Sequence, residues 1–106
     1  MLKKFTEDTF DNDIGQGTTL VDFYADWCGP CRMMTPILEQ LSQEMKDVTI
    51  GKIDVDHAQR IASSYQVTSI PTLILFKNGK EMGRVVGLRD AAALKEFIHS
   101  AAKTRV

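Results

Sequence analysis

Short apolar runs alternate along the chain with segments of helical spacing, and they predict five strands. The predicted strands cover residues 2–5, 19–25, 48–55, 72–77 and 81–86. The second run, TLVDFYA, is a continuous apolar run with aromatic residues and a single acid, Asp22, as expected for a central strand that is covered on both faces. Asn78-Gly79 is the typical dipeptide of a tight hairpin, so the last two strands are expected to pair antiparallel.

Four segments carry apolar residues three and four positions apart, and they predict helices between and after the strands. The first helix is expected to be capped by Thr6, to bury Phe10 and Ile14, and to end at 15–17. The others run from Cys28 to about residue 45 with a kink at Pro36, over about 57–65, and over 89–103. The order predicts an α/β fold, a mixed sheet with helices on both faces.

Composition narrows the class of protein without naming its chemistry. The chain has 106 residues, 43% of them hydrophobic and 25% charged, with a net charge of −1. We therefore expect a single globular domain over 1–106 that has no general attraction to nucleic acid or anionic membranes. No signal peptide or membrane-spanning run is visible, which predicts a cytoplasmic protein, the alternative being a processed organellar form.

The two cysteines, Cys28 and Cys31, are too few for a disulfide scaffold. A bond between them closes so short a loop that it stabilises the fold by only about 2 kcal/mol, so their purpose is predicted to be chemical. Cys28 follows a central strand and begins a helix, where free N–H groups lower the pKa of a thiol. Gly29-Pro30 suits a tight helix start, and Cys31 lies one turn later on the same face, within reach of Cys28.

Other uses of the cysteines fit the sequence less well. A zinc site needs four ligands, and the only histidines, His57 and His99, are far apart and lack a ligand spacing. Haem attachment would need a histidine where Arg32 stands. We therefore expect no metal, and inert core cysteines remain the structural alternative.

Three further residues invite a chemical interpretation. Asp22 lies in an apolar strand, so burial should raise its pKa and let it exchange a proton with Cys31; the alternative is a satisfied structural carboxylate. Lys52, in the next strand, would place its ammonium group near Asp22 unless it is a solvated lysine. Pro71 begins a buried strand and leaves the preceding backbone free to bind an extended chain; the alternative is an ordinary strand-start proline.

The segment 21–32, VDFYADWCGPCR, resembles the active-site segment of the thioredoxin family, which carries Cys-x-x-Cys near a βαβ pattern. The resemblance covers nearly the whole chain. It includes Pro36, Lys52 with Asp54, Ile70-Pro71-Thr72, the hairpin segment 76–79, and Gly87. Two small departures are Tyr24, where many members have a second tryptophan, and Arg32, where lysine is common.

The resemblance implies a thioredoxin fold, a mixed five-stranded sheet in the order βαβαβαββα flanked by four helices. It makes Cys28 the attacking thiolate and Cys31 the resolving thiol. Asp22 becomes the buried proton-transfer residue, and Lys52 lies near it and modulates it. It implies a cis bond before Pro71, and a substrate-docking surface formed by Trp27, Gly29, Pro30, Ile70, Pro71 and Gly87.

The resemblance further implies a protein-disulfide reductant and electron carrier that acts on disulfide-containing proteins. Gly29-Pro30 offers no histidine to stabilise the Cys28 thiolate, which favours a reductant over a disulfide oxidase or isomerase. Electrons would come from NADPH through a thioredoxin reductase, with no cofactor bound to this chain, because it has no Gly-rich phosphate loop. A monomer is expected, and a redox-independent binding module is the third hypothesis.

Overall fold

The elements follow the predicted order in a computed structural model that describes residues 2–103. The strands are β1 Lys3–Lys4, β2 Thr18–Tyr24, β3 Val48–Asp54, β4 Thr72–Lys77 and β5 Lys80–Val86. The helices are α1 Phe10–Ile14, α2 Gly29–Glu44, α3 Gln59–Ser64 and α4 Ala91–Ala102. Pro36 lies inside α2, as the sequence indicates.

The strands form one mixed sheet in the order β1-β3-β2-β4-β5. β3 runs parallel to both β1 and β2, whereas β4 runs antiparallel to β2 and β5. The carboxyl ends of β3, β2 and β5 therefore meet the amino end of β4 at one end of the sheet. Loops at this end of an α/β sheet are the usual place for a functional site.

Each face of the sheet covers its own apolar core. Leu20 of β2 packs with residues of α2 and α4, including Leu38 and Leu94. Phe23 lies on the opposite face, where it packs with Phe10 of α1 and with residues of α3. Helices cover β2 on both faces, which explains why its sequence is almost continuously apolar. The same covering buries the carboxyl group of Asp22 completely.

The first helix begins later than predicted, so the assignment of Thr6 as its cap is wrong. α1 starts at Phe10, and a turn over 7–9 separates it from Thr6. The Thr6 hydroxyl lies 3.0 Å from the hydroxyl of Thr9, which holds the cap position without a side-chain cap hydrogen bond. The last helix, α4, also begins later than the predicted residue 89. Asp90 caps it by accepting a hydrogen bond from the N–H of Ala93 at 2.8 Å, so the helix itself starts at Ala91.

The first strand is only two residues long, but a close approach holds it to β3. The N–H of Phe5 donates to the carbonyl of Lys52 at 2.9 Å, and the Phe5 ring is buried. A Cβ on Gly51 would overlap the Lys3 carbonyl and lie 2.6 Å from the Phe5 ring. Position 51 therefore requires glycine because β1 packs directly over it.

No helix within residues 2–103 is long and apolar enough to cross a bilayer.

Candidate active site

Cys28 and Cys31 meet at the start of α2, where they form a disulfide with their Cα atoms 5.2 Å apart. Cys28 holds the cap position in extended conformation, and the N–H of Cys31 donates to its Sγ at 3.2 Å. Gly29 and Pro30 form the first residues of the helix between them. The donor and the helix start both favour a negative charge, so this geometry lowers the cost of a Cys28 thiolate.

The two sulfur-bearing residues differ slightly in exposure. Cys28 is 5% exposed and Cys31 is 1% exposed, so an approaching reactant meets Cys28 first. Both pack with Tyr24, Ala25 and Ile70 in a small apolar cluster at the end of β2.

The segment before β4 closes over Cys28. The Ile70–Pro71 peptide bond is cis, and the Ile70 carbonyl oxygen lies 3.9 Å from Cys28 Sγ. The Pro71 carbonyl accepts a hydrogen bond from the N–H of Gly87 at 2.8 Å. Gly87 has φ +98°, a conformation that side-chain-bearing residues rarely adopt. The structure therefore brings Ile70, Pro71 and Gly87 to the same surface as Cys28.

Asp22 is a fully buried carboxyl group on the face of β2 that packs against α2. Neither of its oxygens has a hydrogen-bond partner within residues 2–103. Desolvation raises the pKa of Asp22 to about 7, although the positive charge of Lys52 acts in the opposite direction. Asp22 is therefore held as an acid that can gain or lose a proton near neutral pH. It forms no direct hydrogen bond to Cys31.

Lys52 lies beside Asp22 in the register of the parallel pair β2–β3. Its ammonium group donates to the Thr35 hydroxyl at 3.0 Å and lies 4.2 Å from the centre of the Tyr24 ring. Lys52 is thus a half-buried lysine anchored to α2 beside Asp22, rather than a solvated surface group. Thr35 is not among the residues predicted from the sequence, although its position four residues after Cys31 places it on the same face of α2.

Trp27 is 69% exposed beside the disulfide. Its indole N–H donates to the Asp56 carboxylate at 2.9 Å, and the N–H of Asp56 in turn donates to Asp54 at 2.9 Å. Burial acts to raise the pKa of Asp54, but hydrogen bonds from His57 and from the Asp56 N–H outweigh it and lower the pKa. Asp56 is not among the residues predicted from the sequence, although it follows β3, the parallel neighbour of the strand before Trp27.

The six residues expected to dock a partner lie around the disulfide. Trp27 and Pro30 are exposed, whereas Gly29, Ile70 and Gly87 are half-buried and Pro71 is buried. We call this set, Trp27, Gly29, Pro30, Ile70, Pro71 and Gly87, the docking surface. Among residues 2–103 there is no group of three His, Cys, Asp or Glu side chains that could hold a metal ion.

A disulfide at a helix start, a cis-proline segment against it and a buried acid beneath it define a dithiol–disulfide oxidoreductase. A thioredoxin family model matches residues 1–100. The chain belongs to the thioredoxin family. The predicted fold, the family and the reductant function are confirmed.

Curated and structural relatives agree on this assignment. The chain is 54% identical over 99 residues to thioredoxin from Chlamydia pneumoniae, covering 93% of this chain and 97% of that one. It is 45% identical to thioredoxin from Bacillus subtilis, covering 92% and 95%. It superimposes on oxidised mitochondrial thioredoxin 3 from Saccharomyces cerevisiae with a TM-score of 0.85 and 40% identity, covering 93% and 94%.

The family sets the activity of the chain. The protein is a protein-disulfide oxidoreductase that acts as a reductant through reversible exchange between dithiol and disulfide. Thioredoxins act on disulfide substrates, are generally reduced by a thioredoxin reductase, and need no bound cofactor.

Proposed function

We propose that Cys28 attacks the partner disulfide and that Cys31 resolves the resulting mixed disulfide. The observation that carries this assignment is the Cys31 N–H donating to Cys28 Sγ at 3.2 Å at the start of α2. It supports a thiolate on Cys28, whereas Cys31 is more deeply buried. The inner sulfur is therefore assigned the second step.

In the first step, the Cys28 thiolate forms a bond to one partner sulfur and the partner S–S bond breaks, releasing a partner thiolate. In the second step, the Cys31 thiolate attacks Cys28 Sγ and releases the other partner thiolate. Two electrons have then passed from the dithiol to the partner, and Cys28–Cys31 is left as a disulfide. The released thiolates take up the protons that the two cysteines have lost.

Asp22 is proposed to accept the proton of the Cys31 thiol and to return it in the reverse direction. Its pKa of about 7 supports this role, because a base is most effective near the working pH. Asp22 makes no direct hydrogen bond to Cys31, so a water molecule is the proposed carrier. Lys52 modulates this exchange by favouring the charged carboxylate.

The docking surface is proposed to bind the polypeptide around the partner disulfide. Trp27 supports this assignment, since so large an exposed aromatic side chain is typical of a contact surface. Gly29 and Pro30 also tune the dithiol, because neither adds a charged or hydrogen-bonding side chain between the cysteines. Pro71 is buried under this surface, and Gly87 adds no side chain of its own to it.

The remaining proposals concern the context in which the protein works. NADPH, acting through a thioredoxin reductase, is the proposed electron source, and the cytoplasm is the proposed compartment because a reductant works where thiols are kept reduced. A single domain over 1–106 is proposed, and it acts as a monomer. The monomer is supported by the few large apolar side chains that are exposed within residues 2–103: Trp27, Met33, Val86 and Leu88.

Turnover of insulin disulfides with a chemical dithiol tests the two cysteine roles. Cys28→Ser is expected to abolish turnover. Cys31→Ser is expected to stop after the first step and to accumulate a covalent complex with the partner, visible on a non-reducing gel. If Cys28→Ser instead of Cys31→Ser accumulated the covalent complex, the two cysteine roles would be reversed.

Two further measurements test the context of the reaction. NADPH consumption with a thioredoxin reductase present tests the electron source, and sedimentation velocity tests whether the protein is a monomer.

A further inference from the structure

The strand order fixes how charged residues are arranged on either side of Cys28. Asp54 and Asp56 lie at the carboxyl end of β3, Cys28 follows β2, Pro71 precedes β4, and Gly87 follows β5. These four segments lie at the same end of the sheet, with neighbouring strands about 4.8 Å apart. The β3 flank and the β5 flank are therefore on opposite sides of the cysteine.

The β3 flank is acidic. Asp26, Asp54 and Asp56 surround Trp27 on this side, and Trp27 is tied to Asp56. Arg32 reaches this flank, where its guanidinium donates to the Asp26 carbonyl at 2.9 Å, and Lys4 lines a pocket together with Asp26 and Asp54. The three carboxylates outnumber the two exposed cations, Lys4 and Arg32, so this side of the docking surface stays more negative than the β5 flank.

The β5 flank instead presents the guanidinium of Arg89. Its Nη1 atom lies 3.4 Å from the place that a Cβ on Gly87 would occupy, so the group folds back over this part of the docking surface. The same nitrogen donates to the Leu88 carbonyl at 3.1 Å. Within residues 2–103 no carboxylate pairs with Arg89, and the neighbouring Asp90 carboxylate is engaged as the cap of α4.

We infer that Arg89 is a specificity-determining residue that binds a carboxylate on the partner segment docked across Ile70, Pro71 and Gly87. The inference rests on the proposed docking surface and adds the chemistry that it selects. A guanidinium presents several donors in a planar fork that fits a carboxylate, and Arg89 has donors to spare beyond its bond to Leu88. Partner disulfides with a Glu or Asp near one cysteine are therefore reduced faster than those without.

Synthetic peptides closed by one disulfide test this inference. Three peptides share a sequence and carry Glu before the cystine, Glu after it, or Gln at both places. The reduced protein is mixed with each peptide, and oxidation is followed by the fluorescence of Trp27, the one tryptophan of the chain. For the wild type at low salt, one of the two Glu peptides is expected to react about two- to fivefold faster than the Gln peptide, the range of an exposed ion pair.

The ratio of the Glu rate to the Gln rate should fall to about one in Arg89→Ala and in concentrated salt. Arg89→Lys should keep part of the preference because it keeps the charge. Lys80→Ala is the matched control, since it removes an exposed cation at the opposite end of β5 and should leave the ratio unchanged. A wild-type ratio of one for both Glu peptides, or a preference that survives Arg89→Ala, would overturn the inference. Every protein in this comparison keeps both cysteines, so the ratio does not depend on which cysteine attacks first.

Discussion

Lys52 lies opposite Asp22 in the register of two parallel strands, yet its ammonium group donates to Thr35 and not to the Asp22 carboxyl. The charge of Lys52 nevertheless opposes the effect of burial on the pKa of Asp22. The pKa of the buried Asp22 carboxyl group is thus lowered through space by the charge of Lys52, whose ammonium group is held in place by Thr35 of α2. Such an arrangement leaves the carboxyl group free to exchange its proton.

Replacing this cation should raise the pKa of the acid further. In Lys52→Met, the pKa of Asp22 is expected to lie above its wild-type value of about 7, because burial then acts without opposition. A carbon-13 NMR titration of the Asp22 carboxyl group measures this directly. Thr35→Val is the control, since it removes the hydrogen bond and keeps the charge, and it should change the pKa less. An unchanged or lower pKa in Lys52→Met would contradict the proposed modulation.

Burial of Asp22 should make the stability of the protein depend on pH. The ordinary pKa is 3.8 and the folded value is about 7, so the folded state keeps a proton that the unfolded state loses between these values. Stability from this group is greatest below pH 4 and is lost as the pH rises to about 7, a change of about 4 kcal/mol.

Asp22→Asn removes this titration. The free energy of unfolding of the variant, relative to the wild type, should therefore rise by about 4 kcal/mol between pH 4 and pH 8. Urea unfolding of the oxidised proteins at the two pH values measures the difference. A difference that is the same at both pH values would show that the carboxyl group is not held as a neutral acid.

The hydrogen bond between Trp27 and Asp56 should matter for docking rather than for the exchange chemistry. Asp56→Ala frees the indole, and we expect about a fivefold rise in KM for a protein disulfide with kcat changed little, since one such bond contributes about 1 kcal/mol. Asp47→Ala, which removes an exposed carboxylate elsewhere, is the control. Should kcat fall while KM stays constant, Trp27 would have a role in the chemical steps instead.

The residues between the cysteines should set the direction of electron flow. A histidine there stabilises the Cys28 thiolate and makes the disulfide easier to reduce, so Pro30→His is expected to raise the reduction potential by tens of millivolts. The wild type should lie near the value of about −270 mV that is already known for thioredoxin. Equilibration with a glutathione buffer measures both. Met33→His, on an exposed helix position outside the pair, should have a smaller effect; an equal effect would contradict this explanation.

The close approach of β1 to β3 should make Gly51 intolerant of a side chain. Gly51→Ala places a methyl group against the Lys3 carbonyl and the Phe5 ring, and it is expected to lower the free energy of unfolding by about 1–3 kcal/mol. Gly29→Ala meets no atom within 4 Å and should leave that energy nearly unchanged. Thermal unfolding of the two variants gives the comparison, and equal stability would mean that β1 shifts without cost.

Much of the fold could be predicted because its strongest signals are local. Asn78-Gly79 marks the hairpin, the run 72–77 coincides with β4, and the position of Cys28 between a strand and a helix indicates the dithiol site. The start of α1 could not be predicted from Thr6, because a turn over 7–9 competes with the helix for the same residues. Local spacing does not record that competition.

The site was predicted less completely than the fold. That Asp22 and Lys52 are neighbours could be predicted, because the strands that carry them pair side by side. The hydrogen bond from Lys52 to Thr35 depends instead on how α2 packs over the sheet. The bond from Trp27 to Asp56 likewise joins two loops far apart in the chain. The helical spacing of Thr35 and the place of Asp56 after β3 indicate only that both residues lie near the site; which groups they bind follows from tertiary packing. The roles of the site residues stay predictions.

The active end of the sheet is assembled from the ends of β2, β3, β4 and β5, which are distant in sequence. Once the chain unfolds, Cys28 loses the helix start and the Cys31 N–H, and it returns to an ordinary thiol that is mostly protonated at neutral pH. The fraction of Cys28 that is ready to attack a disulfide therefore falls when the structure is lost. Folding thus couples the reactivity of the dithiol to the presence of the docking surface, so that fast reduction is confined to molecules that can also select a partner.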